Sequence, residues 1–259
     1  LAQPSITQVL TWFHSLLFKW QWELFLTDPF IFLFWIFIIL TTFVWGRGLF
    51  CGWMCPFGSL SELIYKVAGA IGLKRFQFAL PMKWHNRLKW IKYAVFFGLL
   101  AVSVFSMGLA EMLAEVEPFK TTFLVGMFNR AWPYTLFVAV LLGLSIFIER
   151  PFCKYLCPLG ASLAMPSTFR WFGLKRKQEC NTCKACAVGC GSLAIDEHGR
   201  IDHRECMHCL DCMVLYTDEH ACPPLAQERK RRTKAGLPLT PIGKDGYYIP
   251  IKPVPAAKA

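Results

Sequence analysis

Apolar residues fall into three long runs separated by charged stretches. Phe30 to Trp45 is almost unbroken, with Gly46 to Phe50 able to extend it, and Tyr93 to Ala110 and Trp132 to Ile148 contain no charged residue. Each run approaches the ~20 residues that cross a bilayer as a helix. Burying all three as a soluble core would need more surrounding protein than 259 residues supply. The pattern predicts transmembrane helices at about 30–50, 93–110 and 132–149, inside a helical region covering 30–167. The earlier stretch Val9 to Leu26 is apolar and Trp-rich but carries His14, Lys19, Gln21 and Glu23, which are costly at mid-bilayer. Residues 1–29 are therefore expected to form an interfacial helix anchored by Trp12, Trp20 and Trp22, with a partial extra span as the alternative. Asp28-Pro29 opens the first full span, since Pro suits a helix's first turn.

Composition agrees with a membrane: 55% of residues are hydrophobic and 17% charged, below the roughly 25% of soluble domains. The net charge of +11 gains meaning from its distribution. Lys66, Lys74, Arg75, Lys83, Arg87, Lys89 and Lys92 face only Glu62 in the first loop, whereas Glu111, Glu115 and Glu117 face Lys120 and Arg130 in the second. The positive-inside rule makes the first loop cytoplasmic. Three spans then place the carboxyl-terminal part there too, in agreement with Arg150, Lys154, Arg170, Lys175, Arg176 and Lys177. The chain opens at Leu1 without a charged n-region or cleavage site, and is expected to be part of a longer protein. From Gln227 it is basic and Pro-rich without helical or strand periodicity, so 227–259 is expected to be an extended tail.

The chemistry lies in the cysteines. Cys180, Cys183, Cys186 and Cys190 form C-x2-C-x2-C-x3-C, and Cys206, Cys209 and Cys212 repeat its core before Cys222-Pro223. In two-cluster ferredoxins the fourth Cys of each run ligates the other cluster. One [4Fe-4S] cluster then takes Cys180, Cys183, Cys186 and Cys222, and the second takes Cys206, Cys209, Cys212 and Cys190. Zinc is the competing occupant, but three Cys at two-residue gaps, twice over, suit a cubane better. Eight cysteines in disulfides would not suit a reducing cytoplasm. Nine residues, "MVLYTDEHA", separate Cys212 from Cys222. Between the runs, "GSLAIDEHGRIDHRE" has the pattern of a strand, a turn at Gly199 and a strand. His203 and His208 are read as solvated loop residues, because the thiolates leave no vacancy. The fold class expected is an all-α transmembrane helical segment, then a small α+β bacterial-type 2[4Fe-4S] ferredoxin module over 168–226, then the tail.

Two further pairs, in "CGWMCPFGSL" and "CKYLCPLGAS", repeat C-x3-C-P-[FL]-G directly after apolar runs. Residues at i and i+4 of a helical turn share a face, so Cys51, Cys55, Cys153 and Cys157 can converge between helices. Three roles compete: an additional iron or iron-sulfur centre, redox-active dithiols, or small packing residues at a helix end.

With "CGWMCPFGSLSELIYK", "ERPFCKYLCPLGA" and the paired runs in this order, the chain resembles the carboxyl-terminal half of the NosR family, membrane flavo-iron-sulfur proteins of nitrous oxide respiration. The stretches "GLKRKQECNTCKACAVGCGS" and "HCLDCMVLYTDEHACPP" carry that likeness; the CP motifs alone also suit the wider membrane polyferredoxins that include NapH. The resemblance implies a multi-pass bacterial inner-membrane protein with a cytoplasmic ferredoxin module and a periplasmic FMN domain outside this chain. It implies nitrous oxide reductase and its maturation proteins as partners. The electron donor would be a soluble flavodoxin or ferredoxin, or quinol in the NapH-like alternative. A regulator acting on nucleic acid, suggested by "RKRR" at Arg229 to Arg232, is disfavoured, because positive-inside sorting explains the charge and no docking motif is present. No nucleophile and base are paired, so the chain is read as an electron-transfer component with no substrate-converting site.

Overall fold

The computed structural model describes residues 4–18, 29–119, 122, 131–173, 185–196, 198–218 and 220–236. They belong to two compact units, Leu1–Gly173 with His203–His208, and Leu174–Asp202 with Cys209–Ala259. In the first unit, helices α1 (Ile6–Phe18), α2 (Pro29–Val44), α3 (Pro56–Ala70), α4 (Met82–Phe105), α5 (Met107–Leu113), α6 (Trp132–Phe147), α7 (Pro151–Tyr155) and α8 (Pro158–Ala164) follow in order. A π-helical turn, Phe50–Met54, precedes α3. Pro in the first turn of α3, α6, α7 and α8 costs no helical hydrogen bond and fixes where each helix begins.

Helix α2 is apolar all round: Trp35 and Ile38 turn inward while Phe30, Leu33, Leu40 and Phe43 are exposed. Helices α4 and α6 likewise expose Phe97, Leu136 and Val140. Such outward apolar surface is unusual for a protein surrounded by water. By length and composition α4, with 24 residues, can cross a membrane, whereas α2 and α6 are apolar but shorter. The span expected at 93–110 is displaced. Helix α4 starts at Met82, so Lys83, Arg87, Lys89 and Lys92 lie on a helix rather than in a loop. It ends where Ser106 becomes extended (φ −155°, ψ 111°) and its hydroxyl accepts the Leu109 N–H, starting α5.

Two apolar clusters hold this unit. Trp35, Ile38, Phe57, Val138, Leu141, Phe152 and Leu159 join α2, α3, α6, α7 and α8. Ile6, Leu10, Phe96, Leu99, Ala110 and Ala161 join α1, α4, α5 and α8. Trp12, expected as a headgroup anchor, packs on Trp35 with ring centroids 5.1 Å apart; Trp20 and Trp22 lie outside the described residues.

The second unit contains α9 (Ala185–Val188), α10 (Asp211–Thr217) and α11 (Pro223–Lys234). Among the described residues it has no strand, and the expected ferredoxin hairpin is reduced to one antiparallel bridge, Ile195 with Ile201. The Asp196 carboxylate accepts the N–H groups of His198 and Arg200, closing the turn locally. The expected extended tail is helical through Lys234. Cys222 caps that helix, Pro223-Pro224 start it, and Gln227, Arg229, Lys230 and Arg231 are good helix formers. The rest of the tail, from residue 237, lies outside the described residues.

Candidate iron-sulfur site at the two CxxxCP loops

The two Cys of each CP motif do not share one helical turn, contrary to expectation. Cys51 lies in the π-helical turn and Cys153 in α7, but Cys55 and Cys157 are extended N-caps of α3 and α8. The following Pro is the cause, since it excludes helical conformation from the residue before it. Each second thiol is thereby turned back toward backbone donors. The Gly160 N–H donates to Cys157 Sγ at 3.2 Å, and Cys55 receives the amides of Phe57 and Gly58.

The four thiols do converge. Cys55 and Cys157 each lie within electrostatic range of both Cys51 and Cys153, and Cys153 within range of Cys51. The motif glycines provide the space. A Cβ on Gly58 would stand 3.1 Å from the Cys51 carbonyl oxygen and 3.7 Å from Cys153 Sγ, and one on Gly160 3.5 Å from Cys157 Sγ. Burial pushes the Cys55 thiol up to about 12 and Cys153 to about 11, and raises Cys51 and Cys157 as well. Burial thus favours the neutral form of each thiol, so binding a metal group there would release protons.

Two buried arginines brace the loops crosswise: Arg47, which the sequence pattern does not single out, and Arg150, expected there only as a cytoplasmic cation. Arg47, before the first motif, donates to the Gly160 carbonyl of the second at 3.1 Å. Arg150, before the second, donates to the Cys51 and Gly52 carbonyls of the first at 3.1 and 3.3 Å. Each has its own carboxylate: Arg47 pairs with Glu205 at 3.0 Å and Arg150 with Glu62. Lys92 of α4 also reaches Glu205, at 2.5 Å, and all three members of that triad are essentially inaccessible to solvent. The only sequence signal was position, an Arg just ahead of each Cys pair.

Among the described residues no three Cys, His, Asp or Glu side chains are grouped to hold a metal ion. Thiolates on a cubane ligate different irons and stand further apart than ligands around one ion. Four thiols with N–H donors at sulfur and cations behind them fit that anionic group. Of the ferredoxin cysteines, Cys180 and Cys183 lie outside the described residues. Cys190 lies within electrostatic range of Cys209, whose thiol burial raises to about 12. The Cys186 thiol lies 3.9 Å from the Cys212 carbonyl oxygen. Cys222 is buried, and none of the described cysteines is in a disulfide. His203 and His208 are half-buried rather than solvated.

Each CP motif falls in its own match to a 4Fe-4S binding domain, at residues 27–74 and 130–177, which makes this a helical iron-sulfur protein with a duplicated unit. Residues 178–233 match the NosR family. The chain is 47% identical over 233 residues to the regulatory protein NosR of Stutzerimonas stutzeri, covering 89% of this chain and 32% of that one. It is 45% identical over 239 residues to protein NirI of Paracoccus denitrificans, covering 92% and 34%. A shorter regulatory protein NosR from Pseudomonas aeruginosa is 52% identical over 84 residues, 32% of this chain and 84% of that one. The chain belongs to the NosR family, and it spans about a third of the length of the full-length relatives. No solved structure matches it.

Proposed function

We propose that this chain is the electron-transfer part of a NosR-type protein, crossing the inner membrane several times and linking cytoplasmic iron-sulfur clusters to a periplasmic flavin domain outside the chain. In this role it supports the activity or maturation of nitrous oxide reductase. Cys180, Cys183, Cys186 and Cys222 would hold one [4Fe-4S] cluster, and Cys206, Cys209, Cys212 and Cys190 the second. Cys51, Cys55, Cys153 and Cys157 would hold a third. Such clusters supply one-electron transfer at potentials set by surrounding charge, hydrogen bonds to sulfur and exposure.

The observation that carries this reading is the convergence of four thiols, two from each 4Fe-4S binding repeat, with Cys51 and Cys153 buried and Cys55 and Cys157 half-buried. The protein's own contribution is to hold donors and charge in place. Arg47 and Arg150 lock each loop to the other, and the cations offset the negative charge of a thiolate-bound cluster. The apolar outer surfaces of α2, α4 and α6 support several crossings, and the cations between α2 and the apolar part of α4, from Lys66 to Lys89, support a cytoplasmic site. Cells carrying Cys183→Ser or Cys209→Ser should lose nitrous oxide reduction while still making the protein. Full reduction in those cells would refute the proposal.

A further inference from the structure

The short peptide His203–His208, which carries the first cysteine of the second run, belongs to the helical unit rather than to the second unit. It is seated on the first CP loop by contacts of three kinds. Glu205 is buried between Arg47 and Lys92. Met207 enters the apolar cluster beside Phe50, Cys51 and Phe57. The Trp53 indole N–H donates to the His208 carbonyl at 2.9 Å.

Two glycines make the fit possible. A Cβ on Gly52 would be driven into the Met207 carbonyl oxygen, and one on Gly48 would stand 2.7 Å from the His208 ring and 2.9 Å from its backbone nitrogen. The second repeat has Lys154 and Arg150 at the positions aligned with Gly52 and Gly48 when the Cys pairs are superposed, so it presents no such bare surface. His208 also has φ 49°, a left-handed conformation uncommon for a side-chain-bearing residue, held here against the loop.

We infer that His203–His208 is a docking strap that fixes Cys206 at the first CP loop, with Arg47, Gly48, Gly52, Trp53 and Lys92 as its positioning residues. The cluster that uses Cys206 then takes one of its ligands from a peptide held by the helical unit. The first set has no ligand on the strap. This consequence rests on the proposed ligation by Cys206; the docking itself does not.

The test is hydrogen–deuterium exchange on the purified full chain, with EPR of the reduced clusters, in wild type, Gly52→Val and Trp53→Phe. Gly52→Val should speed exchange of the 203–208 amides by about tenfold or more, with α4 still protected and the iron content kept. It should also alter the signal of one cluster and leave the other unchanged. Trp53→Phe removes a single hydrogen bond, adds no bulk, and should give the same pattern in weaker form, which covers misfolding of the valine variant. Unchanged exchange at 203–208 in both variants overturns the strap. Faster exchange with both cluster signals unchanged overturns the anchoring of that cluster. Neither readout depends on nitrous oxide reduction, so failure of the proposed cellular role is a separate result.

Discussion

The two CxxxCP repeats share a motif and differ in what surrounds it. Both open a helix with Pro, both leave the second Cys as an extended cap, and both are braced by the other repeat's arginine. The first repeat keeps Gly48 and Gly52 bare and receives a peptide from far along the chain. The second fills the equivalent surface with its own buried Arg150, Lys154 and Tyr155. Arg47 therefore depends on a carboxylate of the cluster-binding region, whereas Arg150 has Glu62 from neighbouring α3. Duplication supplies four converging thiols, and the departure from symmetry supplies a place to dock.

The largest effect should come from breaking the distant pair. Glu205→Ala strips buried Arg47 and Lys92 of the carboxylate they share, leaving Arg47 the Gly160 carbonyl, and should destabilise the chain by about 3–5 kcal/mol, seen as a fall in thermal midpoint in detergent. Glu62→Ala should cost less, about 1–3 kcal/mol, because Arg150 keeps two carbonyl acceptors. Equal losses would mean that the strap is no more deeply built in than an ordinary helix pair.

How much of this was legible in the sequence follows from the range of each interaction. Thiol spacing is local, so the two CP pairs that come together in the fold could be named from the chain, and the apolar runs marked α2 and α6 closely. Arg47 and Glu205 are 158 positions apart, and no periodicity connects them. Lys92 looked like a loop cation because charge was used to end the apolar run; in the fold the helix continues and Glu205 neutralises it. The hairpin expected around Gly199 shrank to one bridge because local Asp196 contacts satisfy the turn. The helical start of the tail was missed because α11 is polar on all sides and its apolar spacing gives no signal, although its residues favour helix individually.

A smaller effect is the pH dependence of the Arg150–Glu62 pair. Burial raises the Glu62 pKa, but its bonds to Lys66 and Arg150 outweigh this and hold it below the ordinary value of 4.5. The stability it contributes is complete above that value and is lost as pH falls through the depressed one. Thermal midpoints of wild type and Glu62→Ala should therefore stay apart above pH 4.5 and converge as pH falls below it. A constant gap would show that Glu62 acts through packing alone. Smaller still, Ser61→Ala removes the buried 2.8 Å hydroxyl pair with Ser145 that joins the repeats, and should cost about 1 kcal/mol in the same unfolding measurement.

The central claim is that the two repeats jointly hold one cluster beyond the ferredoxin pair. Iron and acid-labile sulfide per chain, with low-temperature EPR, should be measured on anaerobically purified protein with and without Cys51 and Cys153 replaced by Ser. About twelve irons should fall to about eight, with one signal lost. About eight irons in both proteins, with identical spectra, would contradict it and leave the four thiols a redox or packing role.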